Sequence, residues 1–205
     1  LAVLHAPAYR VENGGALRQD WPRVPLPDTK SMLAASAELG RTIAALLDTE
    51  RGVPGVTEGK VKPELKDIAT FKLPKNHPLN EETDFAVTAG WGHAGKKGIC
   101  MPAKGKIVKQ DSGLDIYLNQ LACWRSIPVA VWEYTLGGYQ VIKKWLSYRE
   151  QKLLGRSLTL DEVKEVTNMA RRIAAILTLQ PALEANYKAI KSETYTWPAK
   201  SAGRE

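Results

Sequence analysis

The chain is poor in the side chains that most chemistry needs, with two cysteines and three histidines in 205 residues. Cys100 and Cys123 lie far apart with no second pair near either. Their spacing predicts neither a zinc site nor a disulfide framework, and both are read as small core residues in a reducing compartment. His5, His77 and His93 are scattered and form no metal-ligand spacing, so the metal expectation is none. No apolar run approaches the ~18 residues a membrane span needs. Signal-peptide, acylation and long amphipathic basic patterns are missing too, which predicts a cytoplasmic chain with no membrane partner.

Catalytic motifs are also missing. There is no Gly-x-Ser-x-Gly elbow, no Walker loop and no Gly-x-Gly-x-x-Gly turn opening a helix; Gly90-Trp91-Gly92 lacks both the third glycine and the helix. Pro27-Asp28 with Glu58-Gly59-Lys60 imitates the Pro-Asp…Glu-x-Lys pattern of magnesium-dependent nucleases. That chemistry needs Glu-x-Lys on a strand inside a sheet core, whereas here it falls in a Gly/Pro-rich loop, so a solvated loop is preferred. No catalytic residue and no cofactor is therefore assigned to this chain.

The most informative absence is local. From Phe85 to Gln110 there is no Asp or Glu, although the chain holds 22 acidic residues, while Lys96, Lys97, Lys104, Lys106 and Lys109 accumulate beside His93 and Trp91. Glycines at 90, 92, 95, 98 and 105 let this stretch turn sharply. A basic, aromatic-bearing surface suits a polyanion, because each neutralised phosphate releases counterions. A lysine-decorated hairpin that keeps a sheet edge soluble is the plainer alternative. The net charge of +7 and the pI near 9.4 favour an acidic partner.

Periodicity sets the organisation. Leu1–Asp20 reads as a short helix interrupted at Pro7, with a break at Asn13-Gly14-Gly15, and Trp21–Pro27 as an extended strand fixed by alternating prolines. Apolar spacing predicts a helix over 30–48. A β-rich region follows over 61–136, with strands at Ile68–Leu73, Phe85–Ala89, Lys106–Lys109, Leu114–Leu118 and Val129–Leu136. Residues 139–190 read as helical. Gly137-Gly138 is taken as a strand-to-helix turn ahead of Lys143 and Lys144, with Tyr139 and Trp145 in the core. Thr159-Leu160-Asp161-Glu162 is a capping box opening a long helix, Pro181 starts a shorter one, and Trp197–Glu205 reads as a frayed tail. The fold expectation is α+β, with helical N- and C-terminal segments packed around a small twisted antiparallel β-sheet region. Two parts are expected: a connector over 1–29 and a recognition domain over 30–205.

Several blocks carry a resemblance. Ala2-Val3-Leu4-His5-Ala6-Pro7-Ala8-Tyr9-Arg10 and Leu17–Pro27 resemble the junction after the methyltransferase domain in Type ISP single-chain restriction–modification enzymes. Gly55–Val61 and Val131-Trp132-Glu133-Tyr134-Thr135-Leu136-Gly137-Gly138-Tyr139-Gln140-Val141-Ile142-Lys143-Lys144-Trp145-Leu146 resemble two further blocks of that family's C-terminal specificity region. The resemblance implies a piece of a longer polypeptide that reads double-stranded DNA, while translocase/nuclease and adenine-N6 methyltransferase domains act on it. The start at Leu1 without an initiator Met fits the same expectation. S-adenosylmethionine, ATP and Mg are implied for the parent enzyme. The family's Asn/Asp-Pro-Pro-Tyr/Phe motif is absent here, which favours a binding module over an enzyme. A structural adaptor that docks the other domains without reading bases is the alternative.

The resemblance identifies no base-reading residues, so they are chosen by chemistry. Phosphate contacts are expected from Lys96, Lys97, Lys104, Lys106, Lys109, Lys143 and Lys144. Forked or bidentate groups near strand ends, Gln110, Asn119, Gln120 and Arg125, are candidate base readers, with Trp91 as a stacking or wedge residue.

Overall fold

A computed structural model describes residues 1–197, which leaves most of the expected tail outside the described residues. The described residues divide into two compact units, one of residues 1–51 with 178–197 and one of residues 52–177.

The first unit opens with α1 (Ala2–His5) and α2 (Pro7–Asn13), separated where Pro7 takes the first helical position and needs no amide partner. The Trp21–Pro27 segment is extended and is tied at Leu26 and Pro27 to residues just after the chain's last helix. In α3 (Lys30–Leu47) Thr29 caps the N-terminus by accepting from the Met32 amide, and Ile43 and Leu46 face inward. Both α1 and α2 pack within this unit.

The second unit holds the sheets. It begins with α4 (Pro63–Lys66), β1 (Thr70–Lys72) and α5 (Glu81–Asp84). A two-stranded hairpin, β2 (Gly92–Ala94) with β3 (Cys100–Pro102), follows. Then come β4 (Lys106–Gln110), β5 (Gly113–Tyr117) and β6 (Cys123–Ile127), which join β1 in an antiparallel sheet of order β1-β6-β5-β4. One turn of helix, α6 (Val129–Trp132), precedes the small hairpin β7 (Thr135–Leu136) with β8 (Tyr139–Gln140). Helices α7 (Val141–Ser147), α8 (Gln151–Leu154) and α9 (Leu160–Thr178) close the unit, and α10 (Gln180–Ser192) belongs to the first. The architecture is α+β, as the patterning predicts.

The capping box forms as read: Glu162 N–H donates to Thr159 Oγ1 at 3.2 Å and Thr159 N–H to Glu162 Oε2 at 2.8 Å. From there Val163, Val166, Ala170 and Ile173 bury one face of α9. The inner face of the sheet packs on this layer, where the buried Trp124 donates from Nε1 to the Val163 carbonyl at 3.1 Å. Phe71 meets both Phe85 and Trp124 edge to face, at centroid separations of 5.6 and 5.9 Å.

Two strand readings and one turn reading need correction. Phe85–Ala89 is irregular, because its polar groups pair elsewhere than in a ladder. The Asn119 amide donates to the carbonyls of Thr83, Asp84 and Ala86, and the Thr88 and Ala89 amides both donate to the Leu118 carbonyl. Val129–Leu136 begins as a helical turn, since Pro128 presets its φ at −57°. Gly137 and Gly138, at φ 57° and 83°, form the two-residue turn of the β7–β8 hairpin, a conformation only glycine adopts without strain. Tyr139 is thereby exposed rather than in the core.

Candidate nucleic-acid interface

The pairing register sorts the side chains of the four-stranded sheet. Phe71, Trp124 and Ile116 are in register across β1, β6 and β5 and belong to the inner face. Lys72, Cys123, Tyr117 and Lys106 are in register on the opposite, outer face, to which Thr70, Arg125, Asp115, Val108 and Gln110 also belong. Contacts agree with that assignment. Lys106 Nζ lies 4.3 Å from the centre of the Tyr117 ring and donates to Gln120 Oε1 at 3.3 Å. Burial pushes the Cys123 thiol and the Tyr117 phenol above their ordinary pKa values.

At the middle of this face sits Asp115, a strand residue that is 3% exposed. Its Oδ2 accepts from Arg125 Nε at 3.2 Å and from Gln110 Nε2 at 3.3 Å, while Oδ1 accepts from the Ser126 amide at 3.2 Å. Pairing jumps from Ile116–Trp124 to Leu114–Ile127, so two residues of β6, Arg125 and Ser126, stand opposite one residue of β5. This is a β-bulge, with Ser126 at φ 59° in the left-handed region. Patterning missed β6 because the bulge breaks its two-residue period.

The lysine-rich stretch divides into four settings. Lys96 and Lys97 are exposed at the tip of the β2–β3 hairpin, where Lys97 has φ 60° and Gly98 φ 75°. Lys104 is exposed in the link to the sheet, and Lys106 is on the outer face. Lys109, paired with Leu114, has the opposite parity and belongs with Ile107 and Ile116. Lys143 and Lys144 line a cavity of about 210 Å³ with Pro102, Gly138, Tyr139 and Gln140. Lys144 Nζ lies 4.8 and 4.5 Å from the Tyr139 and Tyr148 ring centres, and its contact with Tyr148 raises its pKa further.

Two of the chosen reading residues are structural. Trp91 is fully buried, so it offers no ring to a base. Its Nε1 donates to the Tyr117 carbonyl at 2.7 Å, its ring meets Trp132 edge to face, and it packs so closely on Gly105 that a Cβ there would lie 2.2 Å from the ring. Asn119 is spent within the fold: besides its three donor contacts, its Oδ1 accepts from the Leu121 and Ala122 amides at 2.9 and 2.8 Å. Gln110, Gln120 and Arg125 remain exposed. Sequence reasoning did not pick Asp115 or Lys72. An acidic residue in the middle of the Leu114–Leu118 alternation was the available signal for the first.

The base of the hairpin is held firmly. Both oxygens of the buried Glu150 carboxylate accept backbone amides, Gly90 N–H at 3.1 Å and Trp91 N–H at 2.8 Å. Cys100 Sγ donates to the Ser147 carbonyl at 2.9 Å, and a Cβ on Gly92 would lie 1.9 Å from that oxygen.

Several lysines of this region are uncompensated. Some cations elsewhere are paired, as in Arg41–Glu38, Arg156–Glu162, Lys164–Asp161 and Lys191–Glu12. Among the described residues, none of Lys72, Lys96, Lys97, Lys104, Lys106, Lys109, Lys143 and Lys144 makes an ion pair. Of these, Lys72 and Lys106 lie on the polar outer face of the sheet, and uncompensated ammonium groups attract anions.

The arrangement is that of a binding module, with a supported sheet carrying cations and polar side chains on its outer face. The family model described as the Type ISP C-terminal specificity domain matches residues 1–178, and the chain belongs to that family. Membership implies DNA target recognition in a restriction enzyme. Comparisons with curated proteins and with solved structures found no match. No helix among the described residues is long and apolar enough to cross a membrane, and no group of three or more His, Cys, Asp or Glu side chains there could hold a metal ion.

Proposed function

We propose that the chain binds double-stranded DNA sequence-specifically through the outer face of its four-stranded sheet. It would serve as the target recognition module of a fused restriction enzyme and adenine-N6 methyltransferase in a prokaryotic cytoplasm. The observation that carries this reading is the set of lysines without an ion pair among the described residues, with Lys72 and Lys106 on the polar outer face beside Arg125. Lys96, Lys97, Lys104 and Lys106, with Lys143 and Lys144 at their cavity, take phosphates; Lys109 is a weaker candidate because its strand parity sets it on the other face. S-adenosylmethionine, ATP and Mg belong on this reading to the methyltransferase and translocase/nuclease domains, and no residue of this chain is assigned to them. The family description favours recognition over a purely structural adaptor.

The test is binding to duplex DNA as a function of salt. Replacing Lys96 and Lys97 by Ala is expected to weaken binding on all sequences and to lower the slope of log K against log salt by about 2, one released counterion per lost contact. A chain that binds no duplex at low salt would refute the reading.

A further inference from the structure

We infer that Arg125 reads a guanine in the major groove, an inference that rests on the DNA-binding role just proposed. Three features of the bulge converge on it. Arg125 is the outward residue of the bulged pair, and a bulge re-aims the side chain it carries. The neighbouring Ser126 holds φ 59°, a conformation that a non-glycine residue rarely keeps unless its surroundings enforce it, and the Asp115 carboxylate holds its amide.

The third feature is the way the arginine is held. Asp115 takes only Nε, through one oxygen, and the Arg125 side chain remains 52% exposed. Neither terminal nitrogen has a partner among the described residues. A guanidinium anchored at Nε presents both Nη groups outward in a plane fixed by its anchor. Two parallel N–H donors match the O6 and N7 acceptors of guanine, and no other base offers that pair at its major-groove edge.

A phosphate would accept the same fork, but the chain already carries unpaired lysines for phosphates. Lysines reach a phosphate as point charges and need no fixed plane. The buried carboxylate and the strained serine add direction, which a base edge requires and a phosphate does not. On this assignment Asp115 is a positioning residue.

The experiment selects binding sites from random duplexes with the whole chain, then measures affinities for the selected site and its single-base variants. The selected site is expected to contain a guanine whose replacement by 7-deazaguanine, which lacks the N7 acceptor, weakens binding. Arg125→Lys should lose roughly five- to 150-fold on that site, the equivalent of one bidentate contact. It should become indifferent to the 7-deaza change while keeping its preferences elsewhere. Arg125→Gln should do the same, and Asp115→Asn should weaken discrimination at that position alone, with circular dichroism confirming the fold of each. Unaltered preferences in both Arg125 variants, or an equal loss on every duplex, would overturn the inference and leave DNA binding intact. No duplex binding at all would overturn both.

Discussion

The β2–β3 hairpin tip and the bulge of β6 both present cations to solvent, and they do so by opposite means. Lys96 and Lys97 stand exposed at the end of a hairpin and make no ion pair among the described residues, so their long side chains keep their rotamers. Arg125 is held at Nε by a carboxylate on the same face that is itself buried. A free ammonium can follow a phosphate wherever it lies, whereas a fixed guanidinium can meet only an acceptor pair placed to match it. On the proposed function, the difference teaches that charge alone locates the DNA-facing surface, while the fixing of charge locates the readout within it.

The comparison can be broken most severely at its shared support. Trp91 sits at the base of the β2–β3 hairpin, contacting Gly105 and Trp132, and ties it to β5, the strand beside β6, by donating to the Tyr117 carbonyl. Trp91→Ala should cost about 3–5 kcal/mol of stability in denaturant unfolding, the range for removing a large buried aromatic. A base-stacking tryptophan would instead be removable with little change in unfolding.

Next in size is the loss at the bulge. Arg125→Lys should remove about 1–3 kcal/mol of discrimination at one position of a selected site, by competition between duplexes. Losing Lys96 and Lys97 together should act on every sequence alike, seen as the reduced salt slope.

The smallest effect sharpens the comparison from below the sheet. Glu162 caps α9, and its pair with Arg156, with the Thr159 amide adding to it, lowers its pKa to about 2. A folded value below the ordinary 4.5 means that the contribution is present above about pH 4.5 and lost as pH falls through about 2. Because the pair is partly solvated, Glu162→Gln should cost about 1 kcal/mol at neutral pH in thermal unfolding, with the cost vanishing at the acid end.

Local signals were legible where one chemical feature decided the structure. Pro7 placed the start of α2, the Thr159–Glu162 box the start of α9, and the Leu114–Leu118 alternation β5. Signals that depend on distant partners were not. Phe85–Ala89 has the composition of a strand, but Asn119 and Leu118 take its hydrogen bonds. Trp91 sits in a glycine-rich basic stretch that reads as surface, and only the approach of Gly105 makes room for the ring inside. Of the site, the lysines were visible as a run without acids, and Arg125 as a forked side chain near a strand end. Its anchor was not, because Asp115 and Arg125 meet only through a register that the bulge shifts.

The most direct test of the division between positioning and reading is the ratio of affinities for a selected duplex and a scrambled one. It should be measured side by side in the Lys96→Ala/Lys97→Ala protein and in Arg125→Lys. The account predicts an unchanged ratio in the first, with both affinities lower, and a ratio reduced by about tenfold in the second. A ratio that falls with the hairpin lysines and survives the loss of Arg125 would contradict it.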